Sequence, residues 1–429
     1  MSIRGRSPVA EREQKWLGAI PMGWAGARLL EVADAWPSNV DKHTVEGQVP
    51  VRLCNYVDVY RNDSIVASLD FMAATATRDQ IQRFQIRRGD TLITKDSETA
   101  DDIGVPAFVE YEADDLICGY HLAIVRPNDR KVLPRYLYWA LNSMPIARQW
   151  GVLAAGVTRV GIRSTDINKI TIPLPPRAEQ RAIADFLDRE TAQIDALVTK
   201  QEEFIRLLRE RRAAVVAKHL APAGHWTTTR IKYLASTVLG KMLDAGRAAR
   251  AGDVSAQYVR AADVLADGRI RLENLNEMPF SEDELRRLDL KKDDIFVVEG
   301  GSAGRPGYLD RDAPGIAFQK TVNRIRTFEG LDPRFAYWSL LQLYEADYYP
   351  NHFGAVSFLH VTSEKLREIP LDHPGIEEQR EISRKVDERT GRIDALIAKA
   401  EELIRLARER RSALVTAAVT GQIDVRKAS

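Results

Sequence analysis

Glycine-rich turns and the lysine, arginine and histidine side chains are the features here that could serve chemistry, so their spacing comes first. Gly300-Gly301-Ser302-Ala303-Gly304-Arg305 is a glycine-rich run. Such a run either turns between two strands or brings backbone N–H groups against a phosphate. It does not match the nucleotide loop G-x-x-x-x-G-K-[ST], and Gly240-Lys241 is followed by Met242 without the upstream glycine. No Asn/Asp-Pro-Pro-Tyr/Phe run occurs, which removes the signature of an amino-methyltransferase. No proline precedes an aspartate, which removes the commonest opening of a metal-dependent nuclease site. The seven histidines are scattered without metal-ligand spacing, and there is no G-x-S-x-G elbow. These residue types point to binding rather than to catalysis.

Arginine supplies a second pattern. Arg209-Glu210-Arg211-Arg212 recurs as Arg408-Glu409-Arg410-Arg411, and both clusters belong to a longer repeat. Residues 179–216 reappear as 378–415 at a constant offset of 199, without a gap, and 22 of the 38 positions are identical. Two copies so far apart make a duplicated half rather than a solenoid. Each copy carries an apolar stripe at alternating steps of four and three. The stripe reads Ile183, Leu187, Glu190, Ile194, Leu197, Gln201, Phe204, Leu208, Arg211, Val215 in the first copy. It reads Ile382, Val386, Arg389, Ile393, Leu396, Ala400, Leu403, Ala407, Arg410, Leu414 in the second. Pro175-Pro176 opens the first helix, and Pro222 and Gly224 end it. A helix of about 40 residues spans roughly 60 Å and needs a partner for a single apolar stripe. The spacing therefore predicts an antiparallel pair; two separate amphipathic helices, each on its own domain, are the alternative. The arginine clusters fit a solvated helix face laced with i,i+4 pairs, or a docking surface for a partner.

Between the helices lie two segments of mixed α+β pattern. In the first, short β-like runs fall at 49–59, 90–94, 105–111, 117–125 and 169–174; in the second, at 257–264, 294–298 and 316–327. Pro134-Arg135-Tyr136-Leu137-Tyr138-Trp139 and Pro333-Arg334-Phe335-Ala336-Tyr337-Trp338 open helices at the same offset of 199, with Asp332 as an N-cap. Ser281 and Glu284 predict a capping box. Cys54 and Cys118 read as small buried hydrophobes.

With 45% hydrophobic and 29% charged residues the composition is that of a globular chain. No run of about 20 apolar residues or signal core is present, so a cytoplasmic protein is expected. Net charge is +1, with 21 basic and 21 acidic residues in 1–172, and 20 and 21 in 221–369. A protein held to DNA by phosphate neutralisation alone would be visibly basic.

The order of several short motifs resembles the specificity subunit of type I restriction–modification systems, across essentially the whole chain. These are Trp16-Leu17-Gly18-Ala19-Ile20-Pro21, Thr94-Lys95-Asp96-Ser97-Glu98, Gly156-Val157-Thr158-Arg159 and Ile172-Pro173-Leu174-Pro175-Pro176 before Glu179-Gln180. Ile369-Pro370-Leu371 before Glu378-Gln379 and Ala418-Val419-Thr420-Gly421-Gln422-Ile423-Asp424 complete the set. The second half departs from it: Asp372-His373-Pro374 replaces the double proline, and Gly354-Ala355-Val356-Ser357 replaces the threonine–arginine. The resemblance implies an α+β protein with two target-recognition domains of twisted β-sheet. They would be separated by two long helices packed as an antiparallel coiled coil with pseudo-twofold repeat. The implied divisions are 1–20, an N-terminal segment packing on the helical region; 21–172, the first domain; 173–220, the central spacer helix; 221–369, the second domain; and 370–429, the C-terminal spacer helix and tail. The implied role is recognition of a bipartite, asymmetric site on double-stranded DNA. The subunit would be non-catalytic, without a cofactor or metal of its own and with no membrane contact. It would scaffold two methyltransferase subunits and nuclease/translocase subunits, which use S-adenosylmethionine, ATP and Mg. Borrowed DNA affinity would then explain the neutral charge. A coiled-coil adaptor binding proteins rather than DNA is the alternative.

Bases are read by side chains on groove edges while phosphate contacts set register. Candidate DNA-binding residues are Arg83, Arg87, Lys95, Ser97, Arg159 and Arg163 in the first domain. Lys241, Arg247, Arg260, Ser302, Arg305 and Lys320 are those of the second. Helix-pairing candidates are Ile183, Leu187, Ile194, Leu197, Phe204, Leu208, Ile382, Val386, Ile393, Leu396, Leu403 and Leu414.

Overall fold

The computed structural model describes residues 15–156, 158–242, 252–354 and 359–427. Packing divides them into two compact units. One is formed by described residues within Met1–Gln201 and Glu402–Ser429, the other by those within Glu202–Glu401. The class is α+β, as expected. Among the described residues no helix is long and apolar enough to cross a membrane.

In the first unit Thr91–Thr94, buried throughout, is the centre of a five-stranded sheet. Leu122–Pro127 and Pro106–Val109 flank it; Ala33–Pro37 lies beyond the former and Ser64–Ile65 beyond the latter. Burial on both faces explains why Leu92 and Ile93 at its middle are both apolar instead of alternating with polar residues. A three-stranded sheet has Val49–Cys54 between Met72–Ala76 and Leu116–Cys118, and Ala25–Arg28 pairs with Thr171–Leu174. The second unit repeats this plan. Ile295–Val298 lies between Val322–Thr327 and Pro306–Tyr308, with Ala235–Leu239 outside. Val254–Val259 lies between Asn276–Phe280 and Ala317–Phe318, and Thr227–Arg230 pairs with Pro370–His373. One charged clamp recurs at each sheet. Arg126 donates from Nε and Nη2 to Asp90 (2.8 and 2.7 Å), and Arg326 does the same to Asp294 (2.7 and 2.8 Å). Both carboxylates are buried, and a two-point guanidinium fork compensates their desolvation.

Several expected strands are shorter than their apolar runs. The run 49–59 is a strand only to Cys54, because Asn55 N–H donates to Asp58 at 2.7 Å and starts the helix Tyr56–Tyr60. Arg260 turns the corresponding run of the second unit, its N–H donating to Asp263. The runs 117–125 and 316–327 each split into two strands, through turns that close at Leu122 N to Gly119 O and Val322 N to Gln319 O. Cys54 and Cys118 face each other in register on parallel strands. Both thiols are free and buried, and burial raises their pKa.

One close approach recurs. Gly104 and Gly304 have φ of +78° and +89°, and a Cβ there would stand 2.2 Å from Trp150 and 2.3 Å from Tyr349. Trp150 and Tyr349 are fully buried and 199 positions apart. Only glycine admits both the backbone conformation and the ring.

The two long helices are Arg177–His219 and Ile376–Val419. The residues duplicated between them hold the helices Pro134–Leu141 and Pro333–Glu345 in place. Gln180 accepts from Leu133 N–H at 2.8 Å and donates to Pro175 O at 2.9 Å, and Gln379 accepts from Asp332 N–H and donates to Pro374 O, both at 2.8 Å. Asp188 accepts from Arg135 Nε and Trp139 Nε1; Asp387 accepts from Arg334 Nε and Trp338 Nε1; all four distances are 2.8 Å. Asp332 caps its helix by accepting from Phe335 N–H, and Ser281 and Glu284 form the capping box. Leu17, Ile20 and Trp24 are buried with Ile183, Leu187, Val415 and Ala418 in the core of the first unit.

The buried stripe on each long helix differs from the expected one at every second step. Leu197, Phe204, Leu396 and Leu403 are 38–43% exposed, whereas Ile205 and Ile404 are buried. Ile183, Leu187, Leu208, Val386 and Ile393 are buried; Ile194, Ile382 and Leu414 are half-buried. The steps run Leu187, Thr191, Ile194, Val198, Gln201, Ile205, Leu208, Arg212, and correspondingly Val386, Thr390, Ile393, Ile397, Ala400, Ile404, Ala407, Arg411. Two polar positions disguise this register. The Thr191 and Thr390 hydroxyls donate to the carbonyls of Leu187 and Val386 (2.6 and 2.8 Å), so threonine can be buried there. Arg212 lies 5.3 Å over Trp338 and pairs with Asp394 at 2.9 Å; Arg411 lies 5.7 Å over Trp139 and pairs with Asp195 at 3.0 Å. Arg211 and Arg410, expected on the stripe, are exposed.

Candidate nucleic-acid interface

Backbone hydrogen bonds match the strand ends of the two units position by position. Gly119 N donates to Cys54 O as Gln319 N does to Val259 O; Lys95 N donates to His121 O as Glu299 N does to Thr321 O; Ile162 N donates to Lys95 O as Val361 N does to Glu299 O. On this shared frame the side chains differ. Lys95 corresponds to Glu299, Tyr120 to Lys320, and Asn55 to Arg260. The loop that leaves the central strand also differs, with nine residues (95–103) in the first unit against five (299–303) in the second.

The longer loop walls a cleft of about 370 Å³ lined by Tyr56, Tyr60, Asp96, Ser97, Glu98, Asp102, His121 and Arg159. Asp96–Ser97 pairs with Val160–Gly161, which brings Ser97 and Arg159 together. Asp96 is engaged by Lys95 Nζ at 2.6 Å and by His121 Nδ1 at 2.8 Å. Asp102 accepts from the Tyr60 hydroxyl at 2.8 Å. The Tyr56 and Tyr60 rings stack with centroids 5.3 Å apart. Burial, and after it the Asp102 charge, raises the Tyr56 pKa, while the hydrogen bond to Asp102 raises that of Tyr60. Both phenols therefore remain protonated donors at neutral pH.

Of the first-domain candidates, Ser97 and Arg159 line this cleft, and Lys95 lies behind it, its ammonium 4.5 Å from the Tyr120 ring centroid. Arg163 is exposed two residues past the Val160–Gly161 strand. Arg83 packs over Phe84 at the end of the helix Arg78–Phe84, and Arg87 is exposed in the turn before the central strand; neither lines the cleft. In the second unit, Arg305 Nη2 donates to Ala261 O, next to Arg260. Ala261 N donates to the Thr321 hydroxyl, next to Lys320, and Lys320 N donates to Lys241 O. Arg260, Arg305, Lys320 and Lys241 thus converge on the same strand ends, with Ser302 in the short loop. The Lys241 ammonium is itself taken up by Glu284 and by Pro279 O. Arg247 lies outside the described residues. Sequence reasoning missed Tyr56, Tyr60, Asp102, Tyr120 and His121; the Tyr56–Tyr60 pair at i,i+4 carried a signal, the others none.

Comparison with known proteins finds likenesses over parts of the chain. Residues 55–205 match the family model of the type I restriction modification DNA specificity domain. The chain is 25% identical over 261 residues to the EcoBI specificity subunit of Escherichia coli, covering 54% of each. It is 30% identical over 200 residues to the StySPI specificity subunit of Salmonella potsdam, covering 44% of this chain and 42% of that one. Thus the chain spans about half the length of the curated relatives it matches. A solved structure described as underlying complex assembly and conformational transition of the type I R-M system is similar in fold. It has a TM-score of 0.70 and 17% identity, over 94% of this chain and 99% of that one. Residues 55–205 are thus similar to a type I restriction modification DNA specificity domain.

Proposed function

We propose that this chain is the DNA sequence-specificity subunit of a type I restriction–modification complex, recognising a bipartite, asymmetric site on double-stranded DNA. One observation carries the reading. The same anchors (Gln180 and Gln379, Asp188 and Asp387, Arg212 and Arg411) hold the helices Pro134–Leu141 and Pro333–Glu345 to the long helices, while the strand-end residues differ between the two units. A common frame with unlike reading surfaces suits a target of two unlike halves.

In this reading residues 21–172 and 221–369 are the target-recognition domains, and 173–220 and 370–429 are spacer helices forming an antiparallel coiled coil, on which residues 15–20 pack; residues 1–14 of the expected N-terminal segment lie outside the described residues. The Arg212–Asp394 and Arg411–Asp195 pairs, each within one unit, support that pairing. The subunit is non-catalytic. Two methyltransferase subunits using S-adenosylmethionine, and nuclease/translocase subunits using ATP and Mg, supply the chemistry and much of the DNA affinity. Contact with DNA falls to Ser97 and Arg159 in the first domain and to Arg260, Ser302, Arg305 and Lys320 in the second.

The test is to map methylated adenines in cells that express the chain with its methyltransferase. One two-part motif with a fixed gap is expected. Methylation without a sequence motif, or none, refutes the reading; sequence-independent protein binding in its place would favour an adaptor.

A further inference from the structure

We infer that the cleft of the first unit reads the exocyclic amino group of a cytosine or adenine, with the Glu98 carboxylate as acceptor; this rests on the function proposed above. Three carboxylates line the cleft, and two are already satisfied: Asp96 by Lys95 and His121, Asp102 by the Tyr60 hydroxyl. Glu98 is exposed and, among the described residues, takes no ion pair or hydrogen bond. The stacked Tyr56 and Tyr60 rings give the cleft a rigid aromatic wall, against which a base edge can lie.

The sign of the charge selects the base. In the major groove a carboxylate can only accept, so it suits the amino groups of cytosine N4 or adenine N6. Guanine presents O6 and N7 there, both acceptors, and would face the carboxylate unfavourably. A phosphate would be repelled from the cleft for the same reason. Arg159, exposed and without an ion pair among the described residues, is the cation available for the DNA backbone beside it. At the corresponding strand ends the second unit places Arg260, Arg305 and Lys320, all donors. One frame therefore carries an accepting reader and a donating reader. The accepting one exists because the loop at 95–103 is four residues longer than its counterpart.

The experiment uses the full chain with its methyltransferase partner. Duplexes are selected from a randomised library, and affinity is then measured on analogues of the selected site that lack one exocyclic amino group. The analogues are 2-pyrimidinone for cytosine and purine for adenine. For the parent chain, one such deletion in the first half-site is expected to weaken binding about tenfold, the loss of a single specific contact. Which analogue does so distinguishes cytosine from adenine. For Glu98→Ala the same deletion should change affinity less than about twofold, and selection at that position alone should relax, while Glu98→Gln, still an acceptor, should retain part of it. Preserved preference in the second half-site serves as the folding control. If Glu98→Ala keeps the parent preference at every position, the inference is overturned and the specificity role stands. If the parent selects no sequence at all, both fall.

Discussion

Gln180 and Gln379 offer a test that the duplication itself controls. Gln180 is 1% exposed and joins two backbone groups, the Leu133 N–H and the Pro175 carbonyl. Gln180→Ala would strand both in the interior. An unsatisfied buried polar group costs about 1–3 kcal/mol, so about 3 kcal/mol is expected for the pair. Gln379 makes one bond more, to Gly330 O at 3.1 Å, so Gln379→Ala should cost about 1 kcal/mol beyond that. Against a typical domain stability of about 5–15 kcal/mol, either variant should still fold. Two units need not unfold together, so a single denaturation midpoint is a poor readout. Native-state hydrogen exchange separates them: Gln180→Ala should speed exchange in the helix Pro134–Leu141, and Gln379→Ala in Pro333–Glu345. About 3 kcal/mol corresponds to roughly a hundredfold acceleration. Exchange within about threefold of the parent in both helices would refute the claim that these glutamines anchor them.

Two further outcomes follow from the helices and their surroundings. Ile205→Ala removes a buried side chain and should cost about 2–5 kcal/mol, whereas Phe204→Ala beside it should change stability little; urea titration of the two would show the reverse order if the expected stripe were the real one. Burial raises the Glu345 pKa above its ordinary value, and the nearby Arg212 only partly opposes this. The folded protein then holds more protons than the unfolded chain between the two values, so stability falls as pH rises through that window and stays lowered at neutral pH. Glu345→Gln should raise the melting temperature at pH 7, the gain vanishing below about pH 4 where both forms are neutral. A variant less stable than the parent at pH 7 would show that the Arg212 pair outweighs burial.

The long helices were legible because repetition with a constant offset needs no knowledge of contacts. Their buried face was half legible. Leucine and phenylalanine at 197, 204, 396 and 403 drew the stripe to themselves, while the buried steps fell on a threonine bonded to its own helix and on an arginine stacked on tryptophan. Neither polar residue declares its burial in one dimension, because the partner that permits it lies far along the chain. Strand ends suffered likewise: Asn55 and Arg260 stop their strands through a carboxylate three residues on, a local signal hidden in apolar runs. For the cleft, the motif at Thr94–Glu98 pointed to the right loop. Its opposite wall comes from 56–60 and 121, which only the sheet pairing brings near.

Each compact unit takes a share of both long helices, and this sets an order of assembly. Unit two is continuous, from Glu202 to Glu401, and has all its parts once that stretch has left the ribosome. Unit one starts first, yet Val415, Ala418 and Val419, which are buried in its core, are made only after the whole of unit two. During synthesis the leading half therefore waits with an open seam, and the trailing half can close before it.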